Sequence, residues 1–519
     1  MKRLSTIQQS YIETIHQLCE ENPRARTKEI ADALGVRMAS ATEVVQSLAA
    51  SGLVDYEKRL GATLTKAGLD VATELQKRHA ALAEFFLKIG CGSGMAEEAA
   101  CAVEHSINSE IADLLIKHLS NLDKSAEHGT KGAEYVPGSV NLDHAAATPP
   151  LPAAIRAFAD AAVLYPGNPE SSHALGRRSA KALAEYAENL LAALGAGGYG
   201  VFWTSSATEA IRLAVEAALP EGVVGGSISV LATSAEHPAL DMALRSRPEV
   251  EVVTIPLLRD GGIDLDALSG LADTETALIA THHVNNETGA LQDLEAIGEA
   301  FRKRAPNARF LVDTAQSAGK LPIPWKTAGI DVAFVGGHKT GAPSGGALIY
   351  KKEESKTAAD FHARLSAARI ELHSIGRPDT PVVAALATAL VSAENAMERR
   401  LAKTKDLNAG LRALLPKALN GVSVEFPVPL EKSSPYILSI LLPPLQGEIL
   451  ARMLSDKGVM VSAGSACEAW KTAPSRPLLA MGFSKKVSRT AIRVGFGFDS
   501  TENDVERLVE ALKHSVEEY

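Results

Sequence analysis

The stretch Phe334-Val-Gly-Gly-His338-Lys339 decides the fold of the larger part of this chain. It places a histidine and a lysine directly after an apolar run, Asp331 to Val335, that reads as a buried strand. A lysine at a strand end is ordinarily a solvated residue. Three further strand ends change that reading. Leu311-Val312-Asp313-Thr-Ala-Gln316 closes a strand on an acid and an amide, Ala235-Glu236-His237 follows another, and Ser205-Ser206-Ala207-Thr208-Glu209 joins a strand to a helix. Ligands of an open parallel sheet collect at the carboxyl ends of its strands, so these four stretches are expected to converge on one crevice.

The chemistry of the four stretches points to an occupant. The Ser-Ser-Ala-Thr turn opens the helix Glu209 to Leu219, whose free N–H groups and dipole suit a phosphate. An acid opposite a ring nitrogen, an imidazole over a ring face and a lysine able to form an imine are what pyridoxal phosphate requires. A partly buried site beside a cationic cofactor lowers the lysine pKa and so frees the amine as a nucleophile.

Outward from the crevice, strand and helix signals alternate from Val201 to Tyr350, with apolar runs at Ile228 to Ala232, Ala277 to Ala280 and Phe310 to Val312. Strands that are apolar throughout are covered on both faces, so the pattern predicts an α/β fold with a mostly parallel sheet between helices. After Thr380 a long helix leads to a smaller C-terminal α/β lobe, with strands at Tyr436 to Leu442, Val459 to Val461 and Thr490 to Val494 and a closing helix Glu502 to His514.

Seven stretches carry a resemblance: Asn141-Leu-Asp-His-Ala-Ala-Ala-Thr-Pro149, Gly167-Asn-Pro-Glu-Ser-Ser-His173, Thr204-Ser-Ser-Ala-Thr-Glu209, His283-Val-Asn-Asn-Glu-Thr-Gly289, Asp313-Thr-Ala-Gln-Ser317, Gly337-His-Lys339 and Ser462-Ala-Gly-Ser-Ala-Cys467. From Val140 onward the chain resembles the cysteine desulfurases, members of the class V aminotransferase group with the fold-type I architecture of pyridoxal-phosphate enzymes. The resemblance implies a homodimer that converts L-cysteine to L-alanine and hands the sulfur, through a persulfide on Cys467, to a sulfur-acceptor or iron–sulfur scaffold protein. It implies that Lys339 carries the cofactor as an imine and later moves protons, and that Asp313 holds the pyridinium proton. His237 would stack on the ring, Gln316 and Asn286 would bond the phenolic oxygen, and Ala207, Thr208 and His338 would hold the phosphate, with Thr380 added by the second subunit. Arg493, with Asn286, would bind the substrate, the arginine fork matching its carboxylate. Cys467 sits in a small, glycine-containing segment suited to a mobile loop. Three positions depart from the family: Gly336 stands where a serine usually bonds the phosphate, the segment Glu371 to Thr380 is shortened, and Gly497-Phe498 replaces a frequent arginine.

The first 122 residues read differently. Apolar Ile7, Tyr11, Ile12, Ile15 and Leu18 recur at helical spacing from Ser5, a short helix runs from Thr27, its N-cap, to Leu34, and a third from Ala39 to Ala50 turns Val44, Val45 and Leu48 inward. Two short strands follow over 53–64. That order is a winged helix-turn-helix, and its third helix is the one that enters a major groove. Arg24, Arg26, Lys28, Arg37, Lys58, Arg59 and Lys66 offer phosphate contacts, but Glu43, Asp55 and Glu57 lie among them. Double-stranded DNA and a protein-contact scaffold therefore both fit.

Beyond the wing, helix Lys66 to Leu87 carries His79, and Cys101, Glu104 and His105 share one face of a later helix. A sulfur, oxygen and nitrogen donor set suits a divalent transition ion. Residues 1–120 are similar to the diphtheria-toxin-repressor group of iron- and manganese-dependent regulators, through Tyr11-Ile-Glu-Thr-Ile15, Lys77-Arg-His79 and Cys101-x-x-Glu-His105. The similarity implies Fe²⁺ or Mn²⁺ held by His79, Cys101, Glu104 and His105, with Glu97 and Glu13 as further ligands. Ser10 and Ala83 depart from that family's usual ligand pattern. Residues 1–72 thus read as the winged helix, 73–122 as a metal-binding and dimerisation segment, 123–138 as a polar linker closed by Pro-Gly, and 139–519 as the enzyme-like domain.

Composition bounds these readings. With 519 residues, a formal charge of −9 and four cysteines, the chain is an ordinary globular protein with no disulfide framework and no global reason to bind nucleic acid. No apolar run reaches the ~18 residues of a membrane span, and Met1-Lys-Arg-Leu-Ser lacks a following apolar core, so no membrane partner and a cytoplasmic location are expected. Two other functions remain open: a transcription regulator that uses the cofactor domain as a ligand sensor, and a related lyase, such as a selenocysteine lyase, or an aminotransferase. Retention of both Lys339 and Cys467 favours the desulfurase, since a sensor needs no persulfide nucleophile.

Overall fold

A computed structural model describes residues 4–88, 93–103, 114, 138–219, 227–352, 361, 363–368, 377–464 and 474–519. The chain divides into two compact units, Met1–Lys131 and Gly132–Tyr519.

The first unit runs α1 (Thr6–Glu21), α2 (Thr27–Ala33), α3 (Met38–Ala50), an antiparallel hairpin β1 (Val54–Glu57) and β2 (Gly61–Leu64), then α4 (Lys66–Lys88) and α5 (Ser93–Val103). Ser5 and Gln8 close α1 with a reciprocal capping box. At α2 the cap differs from the sequence reading. Thr27 is the first helical residue and Arg26 holds the cap position, where its N–H donates to the Glu29 carboxylate at 2.8 Å. A carboxylate three residues on satisfies the same orphan donor that a hydroxyl would have left free. Tyr11, Ile12, Ile15, Ile30, Val45 and Leu48 form the core of this unit, while Val44 is only partly buried.

The second unit contains β3 (Val140–Asn141), α6 (Pro152–Leu164), α7 (Ala174–Ala193), β4 (Tyr199–Thr204), α8 (Ala207–Ala218), β5 (Ile228–Thr233), α9 (Pro238–Arg245), β6 (Val250–Ile255), α10 (Leu265–Leu271), β7 (Thr276–His282), α11 (Leu294–Arg302), β8 (Arg309–Asp313) and β9 (Val332–Gly336). A single turn α12 (Gly337–Thr340), β10 (Gly346–Lys351), α13 (Thr380–Glu394), α14 (Met397–Ala418), β11 (Ile437–Leu441), α15 (Gly447–Asp456), β12 (Val459–Met460), α16 (Arg476–Ala480), α17 (Lys485–Ser488), β13 (Ala491–Gly495) and α18 (Glu502–Glu518) complete it.

Seven strands form the sheet in the order β4-β10-β9-β8-β7-β5-β6. Only β10 runs antiparallel to its neighbours, as the alternating pattern requires of crossover connections. Both faces are covered: Phe310, Ile279 and Val312 pack on one side with Phe301 and Leu390, and Leu278, Leu311 and Phe334 pack on the other with Ile211 and Leu213. That double burial explains the continuous apolar runs. In the smaller lobe β11 pairs with β13, and β12 takes β3 from the start of the unit as a parallel partner.

Candidate active site

The carboxyl ends of β5, β8 and β9 and the start of α8 open on one cavity of about 150 Å³. Ala207, Thr208, His237, Asn286, Asp313, His338, Lys339 and Arg493 all line it. Of the remaining sequence-derived residues, Gln316 lies buried at the turn after β8, Thr380 opens α13 and is 4 % exposed, and neither lines the cavity. Cys467 lies outside the described residues.

At the α8 end, the Ser206 hydroxyl accepts from the Glu209 N–H at 3.2 Å, and the Glu209 carboxylate turns back to the Ser205 N–H and hydroxyl, both at 2.6 Å. Ala207 and Thr208 are left to face the cavity. Gly336 belongs to the same corner, because a Cβ there would lie 3.1 Å from the Ala207 Cβ. The serine-to-glycine departure thus lets the end of β9 pass close to the first turn of α8.

The ring-facing groups come from loops after β5 and β8. His237 caps α9, its Nδ1 accepting from the Ala239 N–H at 3.2 Å, which leaves the proton of the neutral ring on Nε2. Asp313 accepts from the Ala315 N–H at 2.8 Å. Burial pushes its carboxyl above the usual range, against the opposing charges of Lys339 and His237. A buried acid held this way is stabilised by a cation opposite it, such as a protonated ring nitrogen.

A second layer behind Asp313 was not read from the sequence. His282 stands in register with Asp313 across β7 and β8, and its Nδ1 meets the Glu236 carboxylate at 2.9 Å, which also accepts from the Thr233 hydroxyl at 2.7 Å. Burial opposes a charge on His282, yet Glu236 prevails and its pKa is raised. The Glu236 charge in this pair adds to the upward push on the Asp313 carboxyl. The adjacent pair Glu236-His237 held part of this signal, but the meeting of residues 236 and 282 depends on strand order.

Gln316 donates through Nε2 to the Ala145 carbonyl at 2.9 Å, while its Oε1 is buried without a partner. An orphaned buried amide atom is what a residue that completes its bonding on a ligand leaves behind. Arg493 is 3 % exposed. Its guanidinium donates to the Asn286 carbonyl at 2.8 Å, to Asp143 Oδ1 at 2.7 Å and to the Ser462 hydroxyl at 3.1 Å. Asp143 therefore already neutralises the arginine assigned to the substrate carboxylate. The arginine's Nε, buried and without a partner, is the donor left over. Taken together, the helix start, the acid, the histidine, the orphaned amide and the lysine fit pyridoxal phosphate.

His283, next to His282, gives a first expected result. Burial and the neighbouring His282 push its imidazole down to about 4, and its Nδ1 is buried without a partner. The unfolded chain binds this proton near pH 6.5 and the native state only near 4, so stability is present above ~6.5 and falls as the pH drops. The loss is on the order of 3 kcal/mol across that window. Denaturant titrations at pH 7 and pH 4.5 check it, and the slope should flatten in His283→Phe.

In the first unit, His79 Nε2 meets Glu97 Oε2 at 2.7 Å and Cys101 Sγ lies 4.0 Å from His79 Nδ1. Glu104 and His105 lie outside the described residues. Among the described residues no group of three or more such side chains is placed so as to hold a metal ion, and Glu13 lies on α1. His79 and Glu97 are the pair in close contact, with the Cys101 thiol farther off on the other ring nitrogen. Arg24, counted above with the basic residues, is committed to Asp55 at 2.6 Å and Glu57 at 3.4 Å.

Comparison with known proteins agrees with this architecture. Residues 140–508 match the aminotransferase class-V family, residues 3–62 the N-terminal DNA-binding domain of iron-dependent repressors, and residues 65–132 their metal-binding and dimerisation domain. A cysteine desulfurase of a Nostoc species is 30 % identical over 390 residues, covering 73 % of this chain and 93 % of that protein. The cysteine desulfurase IscS of Salmonella paratyphi B is 30 % identical over 387 residues, covering 73 % and 92 %. Among solved structures, a NifS-like protein superposes with a TM-score of 0.63 at 23 % identity over 73 % of this chain and all of its own. An apo cysteine desulfurase from Thermococcus onnurineus superposes at 0.62 with 18 % identity, over 76 % of this chain and 98 % of its own. The structural likenesses establish the fold, and the family match with the sequence relatives establishes the lineage: this chain belongs to the aminotransferase class-V family, among the cysteine desulfurases, and carries an iron-dependent-repressor region ahead of that domain.

Proposed function

We propose that the second unit is a pyridoxal-phosphate-dependent cysteine desulfurase, which takes sulfur from L-cysteine onto Cys467 and releases L-alanine. The observation that carries this reading is the convergence of Lys339, Asp313, His237 and Arg493 on one cavity, in a chain that also has Cys467. When bound, the cofactor supplies the electron sink that weakens the substrate Cβ–S bond. Lys339 holds the cofactor and moves a proton at the substrate Cα. Asp313 would keep the proton on the ring nitrogen, His237 would stack on the ring, and the residues around Ala207 and Thr208 would receive the phosphate. Arg493 holds the substrate carboxylate, and Cys467 attacks the sulfur, so that an S–S bond forms as the C–S bond breaks. The sulfur then passes to an acceptor or iron–sulfur scaffold protein.

The first unit is read as a regulator that binds double-stranded DNA in response to Fe²⁺ or Mn²⁺, supported by the helix order around α3 and by the repressor matches. A footprint with and without each ion tests it, and protection that ignores both ions would remove the metal response. We read the whole as a cytoplasmic homodimer. Ile155, Phe158, Val163 and Leu164 on α6 leave an apolar face outward, Val163 being 79 % exposed, which a second copy would cover. Val163→Asp is expected to weaken the dimer about a hundredfold, a change read by light scattering against concentration.

The enzymatic reading is tested by incubating the cofactor-loaded protein with L-cysteine and a reductant. Alanine and sulfide in equal amounts support it. Cofactor binding without alanine would make the domain a ligand sensor, and amino transfer dependent on a keto acid would make it an aminotransferase.

A further inference from the structure

A second cavity, of about 30 Å³, lies on another side of Lys339 and shares that residue with the first. A volume of this size holds a water molecule or two. Lys320, Arg400, Tyr436 and Thr148 also line it. Lys320 is brought there by the turn after β8. Gly319 before it has φ +70° and lies so close to α13 that a Cβ would sit 3.0 Å from Ala393, so neither the backbone conformation nor the space suits another residue.

The surroundings of Lys320 are cationic. Lys339 approaches from α12, Arg493 from β13 and Arg400 from α14, while the His338 and His144 imidazoles nearby are held toward their neutral forms by burial. Tyr436 presents its ring 5.9 Å from the ammonium. The nearby carboxylates are turned to other groups: Asp143 to Arg493 at 2.7 Å and Asp499 to His144 at 3.3 Å. Among the described residues no carboxylate pairs with Lys320. Burial, then the charges of Lys339 and Arg493, push it down to about 7. A lysine kept this way exchanges its proton near neutral pH, which an ordinary surface lysine does not.

We propose that Lys320 is a positioning residue for proton transfer at Lys339: across their shared cavity it takes a proton from the Lys339 ammonium and returns it, resetting Lys339 between its acid and base roles. The step balances as Lys339–NH₃⁺ plus Lys320–NH₂ giving Lys339–NH₂ plus Lys320–NH₃⁺, directly or through one water. The inference rests on the cofactor reading of the same site, but does not require sulfur transfer. Arg400 and Arg493 cannot perform it, because a guanidinium does not give up its proton in this range.

The test uses full-length cofactor-loaded protein as wild type, Lys320→Met and Lys320→Arg. Exchange of the Cα hydrogen of L-alanine in ²H₂O is followed by NMR, and the visible absorbance of the lysine-bound cofactor is titrated against pH. The expected result is exchange slowed on the order of tenfold to a hundredfold in both variants. The absorbance inflection should rise by about one pH unit in Lys320→Met, where a neighbouring positive charge is lost, but not in Lys320→Arg. Exchange restored by Lys320→Arg would mean that charge alone matters and would overturn the proposal. So would wild-type exchange in Lys320→Met, or an inflection that does not move in that variant. Wild-type protein that exchanges the Cα hydrogen yet releases no alanine from cysteine would refute the desulfurase and leave this inference standing. Wild-type protein that binds the cofactor and exchanges nothing overturns both.

Discussion

Lys339→Ala is expected to lose alanine release from L-cysteine by about a thousandfold or more, since it removes both the cofactor's attachment and the mover of the Cα proton. Cys467→Ala is expected to lose desulfuration to a similar extent by a different route. The cavity and all its described lining residues remain in that variant, so it should still bind pyridoxal phosphate and still exchange the substrate Cα hydrogen. Measuring alanine, cofactor absorbance and Cα exchange on the same two variants separates the roles. A Cys467→Ala protein that releases alanine at the wild-type rate would remove the persulfide from the mechanism. Lys339→Ala protein that retains turnover would move the catalytic centre away from this cavity.

Asp313→Asn should be the next most damaging change, on the order of a hundredfold to a thousandfold in turnover, as is usual when one preorganised electrostatic group is removed. An amide cannot carry the negative charge that holds a proton on the ring nitrogen. The structure also makes a thermodynamic prediction. The folded pKa of Asp313 is raised by burial, so without cofactor its ionisation weakens the fold as pH rises through that value, and a cationic ring opposite it reverses the effect. Cofactor should therefore raise the melting temperature of wild type more at pH 8 than at pH 5, and Asp313→Asn should lose most of that difference. Equal stabilisation of the two proteins at both pH values would mean that no positive charge comes to lie opposite residue 313.

Much of this was legible in the sequence because the crevice is built from short segments at strand ends. In Phe334-Val-Gly-Gly-His338-Lys339 and in the Asp313 turn, strand, turn and chemical group are contiguous, and a parallel sheet brings them together by a general rule. The unread parts are contacts between distant segments. Glu236 meets His282 only because β5 lies beside β7, and Asp143 reaches Arg493 only because the two ends of the second unit fold together. Arg24 read as a phosphate contact with Glu43, Asp55 and Glu57 lying among the basic residues, and only the hairpin geometry shows which of those acids it meets. Lys320 sits seven positions after Asp313, yet nothing in its local sequence reveals that Lys339 and Arg493 lie close to it.

The pairing of β3 with β12, and the bridge from Asp143 to Arg493 across 350 residues of chain, also set an order of events during synthesis. At ~5–20 residues per second the ribosome takes roughly 20–70 s to cover that interval. The Met1–Lys131 unit precedes the interval in the chain, and from β6 onward each strand of the large sheet finds a neighbour already made, while β4 waits for β10. The substrate clamp is the last part to close. A nascent or truncated chain ending just before Arg493 carries the residues of the amino-terminal unit and all seven strands of the large sheet, but it has no arginine to hold an amino acid.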